Sequence, residues 1–355
     1  MTGVRARGED VRRFIVQHIE KHPDDISKVT AERFGITRQA VNKHLTRLKK
    51  EGCIVEAGQT KGRSYKLAPQ SHWRKSYQIV ADLAEDVVWT DDIRMALGEL
   101  PDNVMNIWHH GFTEMFNNAI DHSAGTFINV EVRKTAASSE MYITDNGVGI
   151  FRKIQQALGL LDERHAILEL SKGKLTTDPK RHSGEGIFFT SRMFDSFRIL
   201  SGGAFFSHQH GEDEDWLLEN PSPAHGTTVF MALDNHTSRT TKKVFDEYVS
   251  GEDYDFSKTV VPVKLAQYGN DKLISRSQAK RVLARIELFK TVIFDFREVE
   301  TIGQAFADEI FRVFAAAHPD IKMTPIHTSE EVERMIVRAK TSTSAIPPIK
   351  PQQPG

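Results

Sequence analysis

MYITDNGVGI, residues 141–150, is the stretch on which the fold turns. Its first residues alternate in strand fashion, and the run passes straight into Asp145, Asn146, Gly147, Val148 and Gly149. An acidic side chain at the end of a strand, followed by two glycines one residue apart, lets backbone approach a flat ligand closely. The carboxylate can then accept a hydrogen bond from an exocyclic amine, of the kind adenine carries. A lone Gly-x-Gly is common in turns, so the stretch gains meaning only from its neighbours.

Upstream, TFINVEVRK (126–134) alternates as a second strand. Before it, apolar residues Val104, Trp108, Phe112, Met115, Phe116 and Ala119 predict one buried side of a helix running from about Asp102 to His122. Within that helix, EMFNNAIDHS (114–123) sets Glu114 and Asn118 four apart, hence one turn above each other on one face, with His122 a further turn along. Taken alone, this is an ordinary polar helix face. Downstream, HSGEGIFFTSRMFD (182–195) places Gly184 and Gly186 before a helix-like segment, where free backbone N–H groups and the helix dipole favour phosphate. HGTTVFMAL (225–233) puts Gly226 and Thr227 at the start of a further strand.

In this order the four motifs resemble the GHKL nucleotide-binding fold of gyrase, heat-shock chaperone, histidine kinase and mismatch-repair ATPases, over roughly residues 90 to 235. That pattern runs Glu-x-x-x-Asn, Asp-x-Gly-x-Gly, a mobile lid, Gly-x-Gly and Gly-Thr. The resemblance implies a two-layer α/β sandwich that takes ATP and Mg2+. It assigns Asn118 to Mg2+ through its side-chain oxygen and Glu114 to the activation of a water or acceptor hydroxyl as general base. Asp145 selects adenine, directly and through a water shared with Thr227. Gly147 and Gly149 let backbone close on the nucleotide, and Gly184 and Gly186 cradle its phosphates. In the lid, between Ile150 and Gly184, Lys172, Lys174, Lys180 and Arg181 are the cations that could neutralise a triphosphate. Asn117, one residue off the motif register, is structural, and Asp121 and His122 receive no role from the motif. The cluster His208, His210, Glu212 and Asp213 in SHQHGEDEDW reads as a solvated hairpin tip rather than a metal site.

The first 68 residues carry 15 Lys and Arg against 8 Asp and Glu, so a basic segment heads a chain whose overall charge is only −1. Val11, Phe14, Ile15 and Ile19 recur at helical spacing, as do Ile26, Val29 and Phe34 before Gly35. In ITRQAVNKHLTRLKKEG (36–52), Thr37 is the expected N-cap and Ile36 the staple onto Val41. Val41, Leu45 and Leu48 form the buried stripe, and Arg38, Gln39, Asn42, Lys43, Thr46, Arg47 and Lys50 the opposite face. Cations that neutralise phosphates stand there beside amides and hydroxyls that read base edges in a major groove. Two short strand-like runs come next, around a turn bearing Lys61 and Arg63. Three helices and a wing resemble the winged helix-turn-helix of bacterial transcription regulators, which implies DNA as partner through Arg38, Gln39, Asn42, Lys43, Arg47, Lys61 and Arg63.

From residue 255, strand-like KTVVPVKLA and TVIFDFREV alternate with helix-like segments. Ser275 with Gln278, and Thr328 with Glu331, are the expected capping boxes. This small α/β segment resembles STAS-like domains, known best from anti-anti-sigma factors phosphorylated by GHKL serine kinases. Phosphorylatable members carry an Asp-Ser or Asp-Thr pair at the start of the helix after the second strand-like run. Here Gly303 and Gln304 stand there, with Thr301 two residues early. A docking or dimerising role, through a protein partner or a second copy of the chain, fits better than self-phosphorylation.

The expected architecture is therefore multidomain α+β: 1–68 winged helix-turn-helix, 69–90 connector, 91–240 GHKL-type ATP-binding domain, 255–338 STAS-like domain and 339–355 a Pro-, Ser- and Thr-rich disordered tail. No run of eighteen apolar residues and no signal-peptide core occur, and the one cysteine, Cys53, can staple nothing. A cytoplasmic protein without membrane insertion is expected. The expected function is that of an ATP-binding, ATP-hydrolysing transcription regulator. The alternatives are a protein serine/threonine kinase of the anti-sigma type and a conformational ATPase acting on a protein partner.

Overall fold

Short-range capping starts several of the helices. The Thr37 side chain accepts from Ala40 N at 3.2 Å and opens α3 (Arg38–Lys50), which comes after α1 (Thr2–His18) and α2 (Ile26–Phe34). Apolar faces of these helices close on one another: Val11, Ile15, Ile19, Ile26, Val41, Leu45 and Leu48 are buried together with Ile54 and Tyr65 of the antiparallel pair β1 (Ile54–Ala57) and β2 (Ser64–Leu67). The computed structural model describes residues 2–58, 63–175, 184–211, 216–249, 256–267 and 272–341, with side chains throughout except in 2–6 and 216–224. Lys61, Lys180, Arg181, Glu212, Asp213 and the tail beyond residue 341 lie outside the described residues.

The segment expected as a connector holds a strand. β3 (Ser71–Gln78) pairs antiparallel with β4 (Phe127–Lys134) along its whole length and forms the edge of a five-stranded sheet. A half-exposed edge strand lacks the clean apolar alternation that would announce it, and its partner begins 49 residues after β3 ends, at Phe127 against Gln78. Next come α4 (Glu85–Val88), a π-helical turn at Trp89–Ile93, α5 (Arg94–Leu97) and the long α6 (Asp102–His122). α6 buries Trp108, Phe112, Met115, Phe116 and Ala119 along one side. β5 (Ser138–Asp145) comes after β4. The sheet order is β3-β4-β5-β7-β6, with β6 at Ser196–Gln209 and β7 at Trp216–Asp234.

By contacts the chain divides into two units. The first comprises Met1–Gly147, Met193–Ile199 and Gly226–Thr241; the second comprises Val148–Arg192, Leu200–His225 and Lys242–Gly355. The second holds α7 (Ile150–Leu158), α8 (Glu163–Lys172), most of α9 (Gly186–Met193) and most of α10 (Thr241–Tyr248). It also holds a three-stranded parallel sheet in the order β10-β9-β8, built from β8 (Lys258–Pro262), β9 (Thr291–Asp295) and β10 (Lys322–Ile326). α11 (Arg276–Leu283) connects β8 to β9. α12 (Gln304–Asp308), a π-helical turn at Glu309–Phe314 and α13 (Ala315–Ala317) connect β9 to β10, and α14 (Glu330–Thr341) ends the described chain. Ser275 and Gln278 form the expected capping box of α11. At α14 the cap is Ser329, one residue later than expected: its hydroxyl accepts from Val332 N at 3.2 Å and donates to Glu300 O at 2.7 Å. The chain is thus multidomain α+β with several sheets, and no described helix is long and apolar enough to cross a membrane.

Within α6, burial and the neighbouring His109 push the His110 imidazole down from 6.5 to about 4. The unfolded chain takes up this proton near pH 6.5, whereas the folded chain resists it until about pH 4. The stability from burying neutral His110 is therefore complete above the unfolded value and falls as the pH drops toward the folded one, by up to about 3 kcal/mol. Denaturant midpoints measured across that range should fall with acid in the natural protein, and more shallowly in His110→Gln.

Candidate functional site

The turn that closes β5 is built around one buried carboxylate. Asp145 is 6 % exposed, and its Oδ1 accepts from Gly147 N at 2.8 Å and from Thr227 N at 3.3 Å. The Thr227 hydroxyl is a further partner. Burial raises the Asp145 carboxyl above its ordinary value, and these hydrogen bonds oppose the rise. Two glycines make the approach possible. A Cβ on Gly147 would lie 2.0 Å from Ser123 O, and one on Gly226 would lie 2.0 Å from Asp145 O, with Gly226 at φ +81°. β7 begins at Trp216, so Gly226 stands inside this strand rather than at its start. Asn146 was not anticipated: its Oδ1 accepts from Thr126 N at 2.8 Å and Phe127 N at 3.1 Å, lacing the turn to the head of β4. An Asn directly after a strand is the one local signal of that role.

Glu114 and Asn118 lie one turn apart on α6, both half-buried, on the side away from Phe112 and Phe116. With Asp145, Gly147 and Thr227 they fall in the first unit. Gly149, Lys172, Lys174, Gly184 and Gly186 fall in the second. There Gly149, at φ +91°, precedes α7, and Gly186 is the first residue of α9.

Lys172 does not serve as a phosphate cation. It is fully buried, and its ammonium donates to Glu169 Oε1 at 2.6 Å, Ala284 O at 2.9 Å and Arg281 O at 3.0 Å. Three donors have three acceptors, which leaves none for a ligand. Burial lowers its pKa, and the Glu169 carboxylate counters the fall. Lys174 is likewise turned to the chain's own C-terminal part. Its Nζ donates to Leu288 O at 3.3 Å and lies 5.3 Å from the Phe289 ring centre. Among the described residues no group of three or more His, Cys, Asp and Glu is arranged to hold a metal ion, and of the His208, His210, Glu212 and Asp213 cluster the two carboxylates lie outside them.

In the first unit, Arg38, Gln39, Asn42, Lys43 and Arg47 are exposed on α3, as are Thr46 and Lys50. Arg47 pairs with Glu51 at 2.7 Å, and Arg63 with Glu56 at 2.6 Å. Ser27 donates to Asn42 Oδ1 at 3.1 Å, which holds that amide in place and leaves its N–H donors to point elsewhere.

Comparison with known proteins touches one part of the chain. The family described as a STAS-like domain of unknown function (DUF4325) matches residues 278–333. No curated protein matches the chain. The C-terminal parallel-sheet segment is therefore similar to a STAS-like domain over those residues. Gly303 caps α12 and Gln304 is its first residue, so no hydroxyl stands at that helix start.

Gly226→Ala should destabilise the protein by at least about 2 kcal/mol, since the added methyl meets a backbone carbonyl in a left-handed conformation. Thermal unfolding followed by circular dichroism measures this. A surface control such as Gly203→Ala, whose Cβ meets nothing, should leave the midpoint near its natural value.

Proposed function

We propose that the chain is an ATP-binding, ATP-hydrolysing regulator in which a GHKL-type site around Asp145 takes the nucleotide and an N-terminal winged helix holds DNA under nucleotide control. The observation that carries the nucleotide half is the Asp145 carboxylate. It is buried, its burial is compensated by two backbone amides and a hydroxyl, and glycines stand where backbone must come close. An exocyclic amine of adenine is a donor of the kind such a carboxylate accepts.

Asn118 offers a hard oxygen donor on a half-buried face of α6, which suits a magnesium ion that keeps part of its water shell. Bound there with ATP, the ion would neutralise charge on the phosphates. Glu114 orients the attacking water and takes its proton, while Asn118, neutral at every pH, holds position without competing for it. Gly184 and Gly186 offer backbone N–H groups at the head of α9.

The DNA half rests on α3. Its exposed face mixes Arg38, Lys43 and Arg47, which suit phosphates, with Gln39 and Asn42, which suit base edges. The STAS-like domain, without a hydroxyl at the head of α12, is read as a docking element for a protein partner or a second copy of the chain.

Isothermal titration should find ATP bound at least tenfold more weakly, about 1.4 kcal/mol, by Asp145→Asn. Glu114→Ala should bind ATP and release no phosphate. Equal loss of binding in both variants would overturn the assignment of roles. Labelled γ-phosphate recovered on protein rather than as free phosphate would favour the kinase alternative.

Fluorescence anisotropy on promoter DNA should depend on whether ATP, ADP or no nucleotide is present. Joint substitution of Arg38, Lys43 and Arg47 by Ala should lower the salt slope of binding by about 2 to 3. Unchanged DNA affinity in that variant would point to a protein partner for the winged helix.

A further inference from the structure

The C-terminal STAS-like domain reaches into the segment that precedes Gly184, and one side chain makes three of the contacts. Arg285 lies between α11 and β9, inside the matched family region, and is itself in a left-handed conformation at φ +63°. Its Nη1 donates to Glu169 Oε2 at 3.0 Å, and its Nη2 donates to Gly173 O at 3.2 Å and to Lys174 O. One guanidinium thus spans a carboxylate on α8 and two successive carbonyls just beyond that helix.

The same stretch is held from other directions. Thr259 Oγ1 of β8 donates to Lys172 O at 2.7 Å, and Lys172 itself ends on Arg281 O and Ala284 O. Arg281, which can only donate, gives its Nη1 hydrogen to His165 Nε2 at 2.8 Å, and burial lowers the His165 pKa. Gly173 stands where a Cβ would come within 2.7 Å of the Phe256 ring. On the far side, Phe188 and Phe189 of α9 lie with ring centres 4.7 and 4.9 Å from the same ring.

Directly after Lys174 the chain meets its own later course. Leu175 N donates to Gly184 O at 3.0 Å, and Gly184, at φ +73°, sits so close that a Cβ would lie 2.5 Å from Leu175 C. Gly173 and Lys174, whose carbonyls Arg285 holds, are the residues immediately before Leu175. The position of Gly184, and of Gly186 at the head of α9, is therefore tied to Arg285 through two peptide units and one hydrogen bond.

We infer that Arg285 is a positioning residue for the phosphate-side turn, so that the STAS-like domain sets how well Gly184 and Gly186 can hold a nucleotide's phosphates. This rests on the nucleotide reading given above. A positional role of this kind is reciprocal: whatever strains the Arg285 turn from the STAS-like side changes phosphate affinity, and bound phosphates steady the Arg285 turn.

The test uses the full chain with two probes, Mg-ATP and adenosine, which share the base and differ in the phosphates. Arg285→Ala should weaken ATP at least tenfold while adenosine affinity stays within twofold, and Arg285→Lys should recover part of the loss, since lysine keeps the charge but lacks the planar fork that reaches all three acceptors from this position. A folded Arg285→Ala that binds ATP as the natural protein does, or that loses adenosine equally, would overturn the inference. Should the variant not fold, hydrogen exchange on the natural protein decides. ATP but not adenosine is expected to slow the Leu288 and Phe289 amides, which donate to Arg285 O and Ile286 O. No change there overturns the inference as well. If the natural protein binds neither probe, the nucleotide reading itself fails, and the positional role falls with it.

Discussion

A carboxylate that leaves water must be met by donors, and Asp145 is met mainly by backbone. That single requirement organises the end of β5. Thr144 lies opposite Thr228 in the β5–β7 register, which brings the Thr227 amide alongside the Asp145 side chain. Gly226 has to be glycine because the two strands approach until a methyl would meet the Asp145 carbonyl, and Gly147 has to be glycine because the turn presses on Ser123 at the end of α6. Sheet register, helix end and turn are in this way fixed by one another. Asn146 completes the arrangement by accepting from Thr126 N and from the first amide of β4. On the proposed nucleotide reading, the glycines of this turn are what let a flat ligand come close to the buried acceptor.

The second unit solves a comparable problem with charges. Glu169 shares its two oxygens between Lys172 and Arg285, and both cations go on to satisfy main-chain carbonyls. A buried ionic group with every donor engaged gives little net stability compared with an apolar equivalent, yet removing one member strands the others. Such a network is specific. It fixes α8 against the α11–β9 connection at one register, where Phe256 and Phe289 alone would tolerate sliding. Lys172 spends all three of its donors on the chain, and Lys174 donates to Leu288 O. On the proposed nucleotide reading, phosphate recognition then leans on the backbone of Gly184 and Gly186.

The residues that match the STAS-like family, 278–333, hold β9 and β10 of the parallel sheet with α12 and α13 between them. Its departure lies at the head of α12. Gly303 supplies a cap without a side chain, and Gln304 supplies no hydroxyl. A domain that cannot accept a phosphoryl group at that point still has a mechanical part to play through Arg285. Much of the local structure was legible before any fold was known. The Thr37 cap, the Ser275–Gln278 box, the long apolar stripe of α6 and the strand entering Asp145 all rest on contacts within a few residues, where sequence spacing and geometry are nearly the same thing. Even the slip at α14 was a slip of one residue, between two neighbouring hydroxyls either of which could cap. β3 was harder to see, because an edge strand with one exposed face announces itself only through a partner far along the chain.

By itself, the sequence determined which residues could do chemistry: a carboxylate before two glycines, a Glu and an Asn one helical turn apart, and a basic helix face opposite an apolar stripe. Only the tertiary structure decided which of them remain available for it. Lys172 and Lys174 looked like free cations in a loop, and they meet their acceptors more than a hundred residues further on. Arg285 gave no local sign of importance, since its three acceptors lie equally far back in the chain. Side-chain type is a local property, whereas the pairing of buried polar groups is settled by whatever the folded backbone brings within hydrogen-bond reach.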